Sequence, residues 1–334
     1  MAFESQHDVV IIYHKNCLDG LAAGWVVWKY YGGQADTVAV QYGDDFEDIF
    51  GQGFGKLIGK RVICVDFAFD LHTTKHLMSI CSLLVLDHHD TALKELAPIA
   101  EKEWEKGLEA WFKSEQGDGG SVVVVDNRHS GAMLAWKWFN VDNVSSACPL
   151  GIIYAEDYDM WWHKHPNTKH WVAAAFSYEM NVTTFDTVIN KDIDELVAEG
   201  VAIQRHIDKT VKGLSRSARR FKLDDYDVPI VNANSLFRNE LGAALSVGEP
   251  FSVTYADGRD GRQYSLRSKK DGGVHVGEIA KRFGGGGHAN SAAFRIPLTD
   301  EQFHHSHEYL SSYSYTKVGG EWAKVPKQGC EHGC

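Results

Sequence analysis

A chain of 334 residues with 44% hydrophobic content has the material for a large core, and its length favours two domains over one. A formal net charge of −11 argues against broad, sequence-independent binding of duplex DNA, for which a basic surface supplies most of the affinity. No apolar run is long enough to span a bilayer, and the polar, acidic start Met1–Asp8 lacks the regions of a signal peptide, so no membrane partner and a cytoplasmic location are expected.

In chain order, Val9–Tyr13 reads as a buried parallel strand that ends at His14, and a helical segment follows from Gly20 to Tyr31. Val62–Val65 is a second such strand and stops at Asp66. Leu83–Leu86 is a third and runs into Asp87-His88-His89, which places three metal-binding side chains at a strand's carboxyl end, where open α/β sheets put their active sites. Residues 101–120 form a charged insertion, a helix and then a loop, suited to covering a cleft or to self-association as a homodimer. Ser130 is an N-cap for a helix to Phe139. A fourth apolar run, Gly151–Tyr154, precedes Glu156, Asp157 and Asp159. The pattern is helical from about 188 to 221, and strands then recur near 229–233, 251–255, 262–267 and 291–296. The fold class expected is α/β: a doubly wound, mainly parallel sheet domain (1–187), a helical linker (188–222) and a smaller mixed α/β domain (223–334).

Any one strand-terminal Asp or His is most often a cap or a satisfied polar group. Four such groups in succession reverse that reading and suggest two-metal hydrolysis, in which paired divalent ions bridged by a carboxylate clamp a phosphoryl oxygen and activate water. Mixed His and carboxylate ligands suit one or two Mn²⁺ ions, or Mg²⁺ or Co²⁺, better than Ca²⁺ or structural zinc.

The second half has its own logic. The run Gly284, Gly285, Gly286 and Gly287 lets the backbone approach a ligand and expose amide N–H groups to an anion, and His288 adds a side-chain donor beside it. Arg267 lies two residues past Ser265, on the same face of a strand, and offers a planar fork to phosphate or to a base edge. Asn290 and Ser291 are further polar candidates. Trp161, Trp162, Tyr255 and Tyr264 are candidates for base stacking. Arg205, Lys209, Lys212, Arg216, Arg219, Arg220 and Lys222 concentrate positive charge on the linker helix; a solvated face is the commoner explanation of such a stripe, and a groove for a short single strand is the alternative. Of six cysteines, Cys17, Cys64, Cys81 and Cys148 lie in or near apolar segments and read as reduced core residues, while Cys330 and Cys334 flank His332 in a Gly-rich tail.

With His14-Lys15-Asn16-Cys17-Leu18-Asp19-Gly20, Asp66, Asp87-His88-His89 and Glu156-Asp157 in the first half, and Tyr264–Ser268 and Gly284–His288 in the second, the chain resembles the DHH phosphoesterase superfamily, in the DHH/DHHA1 subfamily of RecJ-type exonucleases and nanoRNase-like oligoribonucleases. The motifs span about residue 8 to 295. The resemblance implies that Asp66 bridges two metals, that Asp19, His88 and Asp157 complete one ion's shell, with Asp159 as the alternative to Asp157, and that His14 serves the other ion. It also implies that His89 touches substrate phosphate or orients a ligand, that Asp87 holds a histidine tautomer, and that Ser265, Arg267, Gly285, Gly286, Gly287 and His288 grip the nucleotide end. Many members carry Asp-x-Asp in the first motif, where this chain has Asn16 and Cys17; Cys17 reads either as a soft ligand or as a small buried residue. The function implied is a metal-dependent phosphodiesterase acting on short single-stranded RNA or DNA and on linear or cyclic dinucleotides to give 5′ mononucleotides. A small-molecule phosphatase, as on 3′-phosphoadenosine 5′-phosphate, and a non-catalytic nucleotide sensor are the alternatives.

Overall fold

The computed structural model describes residues 3–113, 120–140, 147–258, 261–270, 272–297, 313–318 and 321–326. The chain divides into two compact units, Met1–Arg205 and His206–Cys334.

The first unit is built on five parallel strands: β1 (Val9–His14), β2 (Asp36–Val40), β3 (Arg61–Val65), β4 (Ser82–Asp87) and β5 (Val122–Val125), in the order β2-β1-β3-β4-β5. These apolar runs are short and β-branched because both faces of the sheet are covered. Along β1, Ile11 and Tyr13 enter one core while Val10 and Ile12 enter the other; Ile63 and Val65 against Val62 and Cys64 repeat this on β3, and Leu84 and Leu86 against Leu83 and Val85 on β4.

The connecting helices are α1 (Leu18–Tyr30), α2 (Phe46–Phe50), α3 (Leu71–Ile80), α4 (Asp90–Glu95), α5 (Trp104–Lys113), α6 (Gly131–Phe139), α7 (Leu150–Asp159), α8 (Thr168–Ala175) and α9 (Val182–Ile189). Helix α1 is apolar nearly all round and buried over Leu18–Val27, as expected of a helix inside the core. Ser130 caps α6 as anticipated, accepting from the amide of Met133. Helix α5 supplies the helical part of the 101–120 insertion; residues 114–119 lie outside the described residues.

One expected strand is a helix. Gly151–Tyr154 belongs to α7, since a short apolar run does not by itself distinguish a strand from a buried helix segment.

The tie between α1 and α9 gives a direct test of the first unit's electrostatics. Asp186 accepts from Trp25 Nε1 and Lys29 Nζ, each at 2.9 Å. Burial works to raise its pKa, but these hydrogen bonds outweigh it and hold the carboxyl below its ordinary value. A depressed folded value means that the stabilisation is complete above the unfolded pKa of about 3.9 and is lost as pH falls through the folded one. Asp186→Ala is therefore expected to cost about 1–2 kcal/mol at pH 7 and to flatten the acid side of a Tm–pH profile. A profile identical to wild type would remove Asp186 from that account.

Helix α10 (Ile193–Ser215) carries the boundary between the units. The second unit holds a mixed sheet of β6 (Arg219–Leu223), β7 (Tyr226–Asn232), β8 (Ser252–Gly258), β9 (Gly261–Arg267), β10 (Gly286–Gly287) and β11 (Ser291–Ile296), in the order β10-β11-β9-β8-β7-β6. Among the described strands of this sheet only β7 and β8 pair in parallel. Helices α11 (Arg238–Leu245) and α12 (Val276–Arg282) accompany it, and β12 (Tyr313–Val318) pairs with β13 (Glu321–Pro326) as a separate hairpin.

The expected basic stripe is broken: Arg219, Arg220 and Lys222 lie on strand β6, and Arg220 is paired with Asp227 and Glu249. Alternating Arg219-Arg220-Phe221-Lys222-Leu223 buries Phe221 and Leu223, a strand signature that the run of charges masks. The tail with Cys330, His332 and Cys334 lies outside the described residues.

Candidate metal centre

A sheet ordered 2-1-3-4-5 reverses its winding between β1 and β3, and the crevice at their carboxyl ends is the topological switch point. His14 ends β1 and Asp66 follows β3, so both stand at that point. Asp66 adopts a left-handed backbone, φ 54°, and so does Asn16, φ 54°, in the turn before α1. Such conformations cost roughly 1–3 kcal/mol for a non-glycine residue and collect where a site over-determines them.

His88 and His89 directly follow β4, with their rings 4.8 Å apart, and turn to different partners. His88 turns toward α1 and α7, where its Nε2 lies 3.7 Å from Asp19 Oδ2, 3.5 Å from Asp159 Oδ2 and 3.0 Å from Asp66 Oδ1. His89 sits on the side of Asp87, which accepts from its Nδ1 at 2.7 Å and from the amide of His88 at 2.8 Å. That bond places a proton on His89 Nδ1 and orients the ring.

Among the described residues of the first unit two groups of three potential ligand atoms form, Asp19–His88–Asp159 and His14–Asp66–His89, the atoms of each lying within 4.8 Å of one another. Asp66 stands between them, with Oδ1 toward His88 and Oδ2 3.6 Å from His14 Nδ1. Asp19 is oriented from behind: its carboxylate accepts from the amides of Gly131 at 2.7 Å and Ala132 at 3.1 Å, at the positive end of α6.

The electrostatics are those of a site that gathers charge around a cation. Burial first, then the carboxylates of Asp66 and Asp159, pushes Asp19 well above the usual carboxylate range. At Asp66 burial acts in the same direction, but the neighbouring imidazoles of His14, His88 and His89 outweigh it and hold the group well below that range. Burial disfavours protonated His88, yet Asp66, Asp159 and Asp19 raise its pKa well above the ordinary value. Both oxygens of Asp66 and Nδ1 of His14 are buried without a hydrogen bond of good geometry. Buried polar atoms left this way are uncommon, and a place for an ion is one of the standard reasons for them. The donor set, imidazoles beside carboxylates in each group, fits a first-row divalent ion.

The choice of Asp157 as a ligand needs correction. Its carboxylate accepts from the amides of Lys164 at 2.8 Å and His165 at 3.2 Å and from Thr168 Oγ1 at 2.6 Å, and Asp159 takes the place beside His88. Glu156 turns elsewhere too, to His129. Cys17 belongs to neither group; burial and the neighbouring Asp66, Asp159 and Asp19 charges push its thiol well up, which suits a protonated, half-buried side chain.

Tyr42 is a site neighbour that no motif signals. It lies in the turn after β2, with its ring 5.9 Å from His14, 6.2 Å from His89 and 4.8 Å from Phe67.

In the second unit the expected residues gather at one end of the sheet. Arg267 pairs with Ser291, Ser265 with Ala293, and Ala293 in turn with Gly286, while the His288 amide donates to Ser291 O. Arg267 is held by Asn239 Oδ1 and packs against Gly242 of α11.

The glycine run differs from the expected open nest. The amides of Gly284 and Gly285 donate to Lys281 O and Ala280 O, closing the end of α12, and Gly286 and Gly287 pair with β11. Glycine is required there by crowding: a Cβ on Gly285 would lie 2.1 Å from Ala293 O, and one on Gly287, at φ +135°, 2.5 Å from Ser291 O. Asn290 Nδ2 is spent on Ser268 Oγ. Tyr264 is fully buried and stacked on Phe294, and Arg262 lies over the Tyr255 ring, so of the four aromatic candidates it is Trp161, 40% exposed, that presents most surface to a base.

The family model of the DHHA1 domain matches residues 239–310, within the second unit. The match falls in the mixed-sheet unit, and the doubly wound first unit carries the Asp-His-His cluster, an α/β architecture similar to that of DHH proteins. Among solved structures it is similar to the DHH domain of a member of the s1p family of ribosomal proteins, at 13% identity and a TM-score of 0.53, covering 91% of this chain and 86% of that one. RecJ of Thermus thermophilus in complex with Mn²⁺ matches at 12% identity and a TM-score of 0.48, over 90% of this chain and 51% of that one. The uncharacterized protein R106 of Acanthamoeba polyphaga mimivirus is 25% identical over 311 residues, covering 85% of this chain. The match spans 66% of the length of that viral relative.

Proposed function

We propose that the protein is a metal-dependent phosphodiesterase that hydrolyses short single-stranded oligonucleotides and linear or cyclic dinucleotides to 5′ mononucleotides. The observation that carries this reading is Asp66, a buried carboxylate without a well-formed hydrogen bond that turns one oxygen toward each of two His-and-carboxylate groups.

Asp19, His88 and Asp159 would hold one Mn²⁺ and His14 and His89 the other, with Asp66 shared; Co²⁺ suits the same donors, and Mg²⁺, which prefers oxygen, would rely on the carboxylates. When bound, the ions supply a Lewis acid for the phosphoryl oxygens and a nucleophile at neutral pH. The chain's own contribution is orientation. Asp87 holds the His89 tautomer, the α6 amides fix Asp19, and the close-packed sheet ends exclude bulk water from Asp66, which is 1% exposed. In the second unit Arg267, Ser265, Gly285, Gly286, Gly287 and His288 are the residues we assign to the nucleotide, with the Arg fork suited to phosphate.

Incubating metal-stripped protein with Mn²⁺ and a panel of linear and cyclic dinucleotides, short single-stranded RNA and DNA, and 3′-phosphoadenosine 5′-phosphate tests this by product chromatography. Mononucleotides are expected from the phosphodiesters, and an Asp87-His88-His89 to triple-alanine variant should release none. Inorganic phosphate from the bisphosphate alone would favour a small-molecule phosphatase, and survival of every substrate with each of several metals would overturn the catalytic reading.

A further inference from the structure

Asp157 is a heavily bonded carboxylate at the end of α7, and what it holds is an aromatic segment. Its backbone oxygen accepts from the amides of Trp162 at 3.0 Å and His163 at 3.3 Å, while its carboxylate accepts from Lys164 N, His165 N and Thr168 Oγ1. Within this loop Trp161 and His163 both adopt left-handed backbones, at φ 55° and 50°. Two non-glycine residues in that region within three positions are a strained arrangement; the Trp161 amide donates to Tyr158 O at 3.1 Å, and Asp157 bonds the residues that follow it.

The strained turn presents an indole. Trp161 is 40% exposed, with its ring against Tyr158 at 6.1 Å and edge-on to His163 at 4.6 Å, and it stands two residues after Asp159, which lies 3.5 Å from His88. A large exposed aromatic packed against Tyr158 and His163, two residues along the chain from Asp159, has few torsions to lose on stacking with a flat ligand.

We propose that Trp161 is the base-stacking residue of the active site and that Asp157 is its positioning residue, so that the preferred substrates are phosphodiesters carrying a nucleobase next to the scissile phosphate. This deepens the phosphodiesterase reading and rests on it.

Equilibrium binding to the full-length Mn²⁺-loaded protein, measured by calorimetry, separates stacking from catalysis. The probes are adenosine 5′-monophosphate and ribose 5-phosphate, which share a phosphate and a sugar and differ in the base. Wild type is expected to prefer the nucleotide by about tenfold or more, the range of one base–aromatic contact. Trp161→Ala should collapse that ratio to about one while moving the ribose 5-phosphate affinity by less than about twofold, and Trp161→Phe should keep the ratio within about threefold of wild type. Asp157→Ala should lower the same ratio, and the double variant should lower it no further than Trp161→Ala alone.

A wild type without base preference would overturn the proposal, as would a Trp161→Ala ratio equal to wild type or a Trp161→Phe loss as complete as that of alanine. Additive losses in the double variant would overturn the role of Asp157. Turnover is read separately: protein that hydrolyses dinucleotides but shows no Trp161-dependent preference refutes the stacking role and leaves the phosphodiesterase standing.

Discussion

Asp66→Asn is expected to lower kcat/KM for a dinucleotide by roughly 10³-fold or more and to abolish the rise in Tm that Mn²⁺ gives the wild-type protein. The substitution keeps the size and shape of the side chain, removes its charge and turns one acceptor oxygen into an NH₂ donor. Asp66 is the carboxylate that faces both groups of candidate ligands, so an amide there weakens both metal positions at once. Losses at a partner that only orients a ligand run to about 10–100-fold in metal affinity, and a shared ligand should exceed them. Two measurements check the result, a calorimetric Mn²⁺ titration and a thermal melt with and without the ion. An undiminished Mn²⁺-dependent Tm shift in Asp66→Asn would remove Asp66 from the metal centre.

Gly131→Ala should be as damaging, although it adds one methyl group. Gly131 opens α6, and its amide is one of the two that hold Asp19. A Cβ built there would lie 2.5 Å from Asp66 Cβ and 2.9 Å from Asp66 Cα. The contact is backbone on one side and a strained, left-handed residue on the other, so neither can yield without moving a candidate ligand. Overpacking of this kind costs about 1–3 kcal/mol, and for a unit of this size about 2–4 °C of Tm per kcal/mol. Because Asp19 and Asp66 shift apart together, Mn²⁺ affinity should fall as well.

Gly213→Ala is the contrasting substitution. Gly213 lies exposed on α10 with open space around its Cβ position, and alanine there should stabilise by about 0.5–1 kcal/mol. A Gly131→Ala protein with the Tm and Mn²⁺ response of wild type would show that α6 does not brace the centre.

Much of the first unit is legible in the residues. Apolar runs of four or five that stop at His14, Asp66 and Asp87 read as strands buried on both faces, and their polar ends then have to lie on one rim. That His88 and His89 take different partners accords with adjacent residues at a strand's end pointing in different directions. The Arg267 and Ser265 face is legible for the same reason, because a period of two fixes relative direction without knowledge of the neighbours.

What the tertiary structure decided is phase and availability. Asp157 and Asp159 have the same chemistry, but on a helix they stand about 200° apart, so the rotation of α7 chooses between them. That rotation is set by packing, with Ile152, Tyr154 and Ala155 in the core beneath, and it turns Asp159 to His88 and Asp157 to the loop. In the same way the glycines that could have met an anion give two amides to the end of α12, and Tyr264 is spent on Phe294. A sequence specifies which groups a chain possesses and, through periodicity, which of them share a side. Whether a donor is already used depends on partners distant along the chain, and those are supplied only when the core closes.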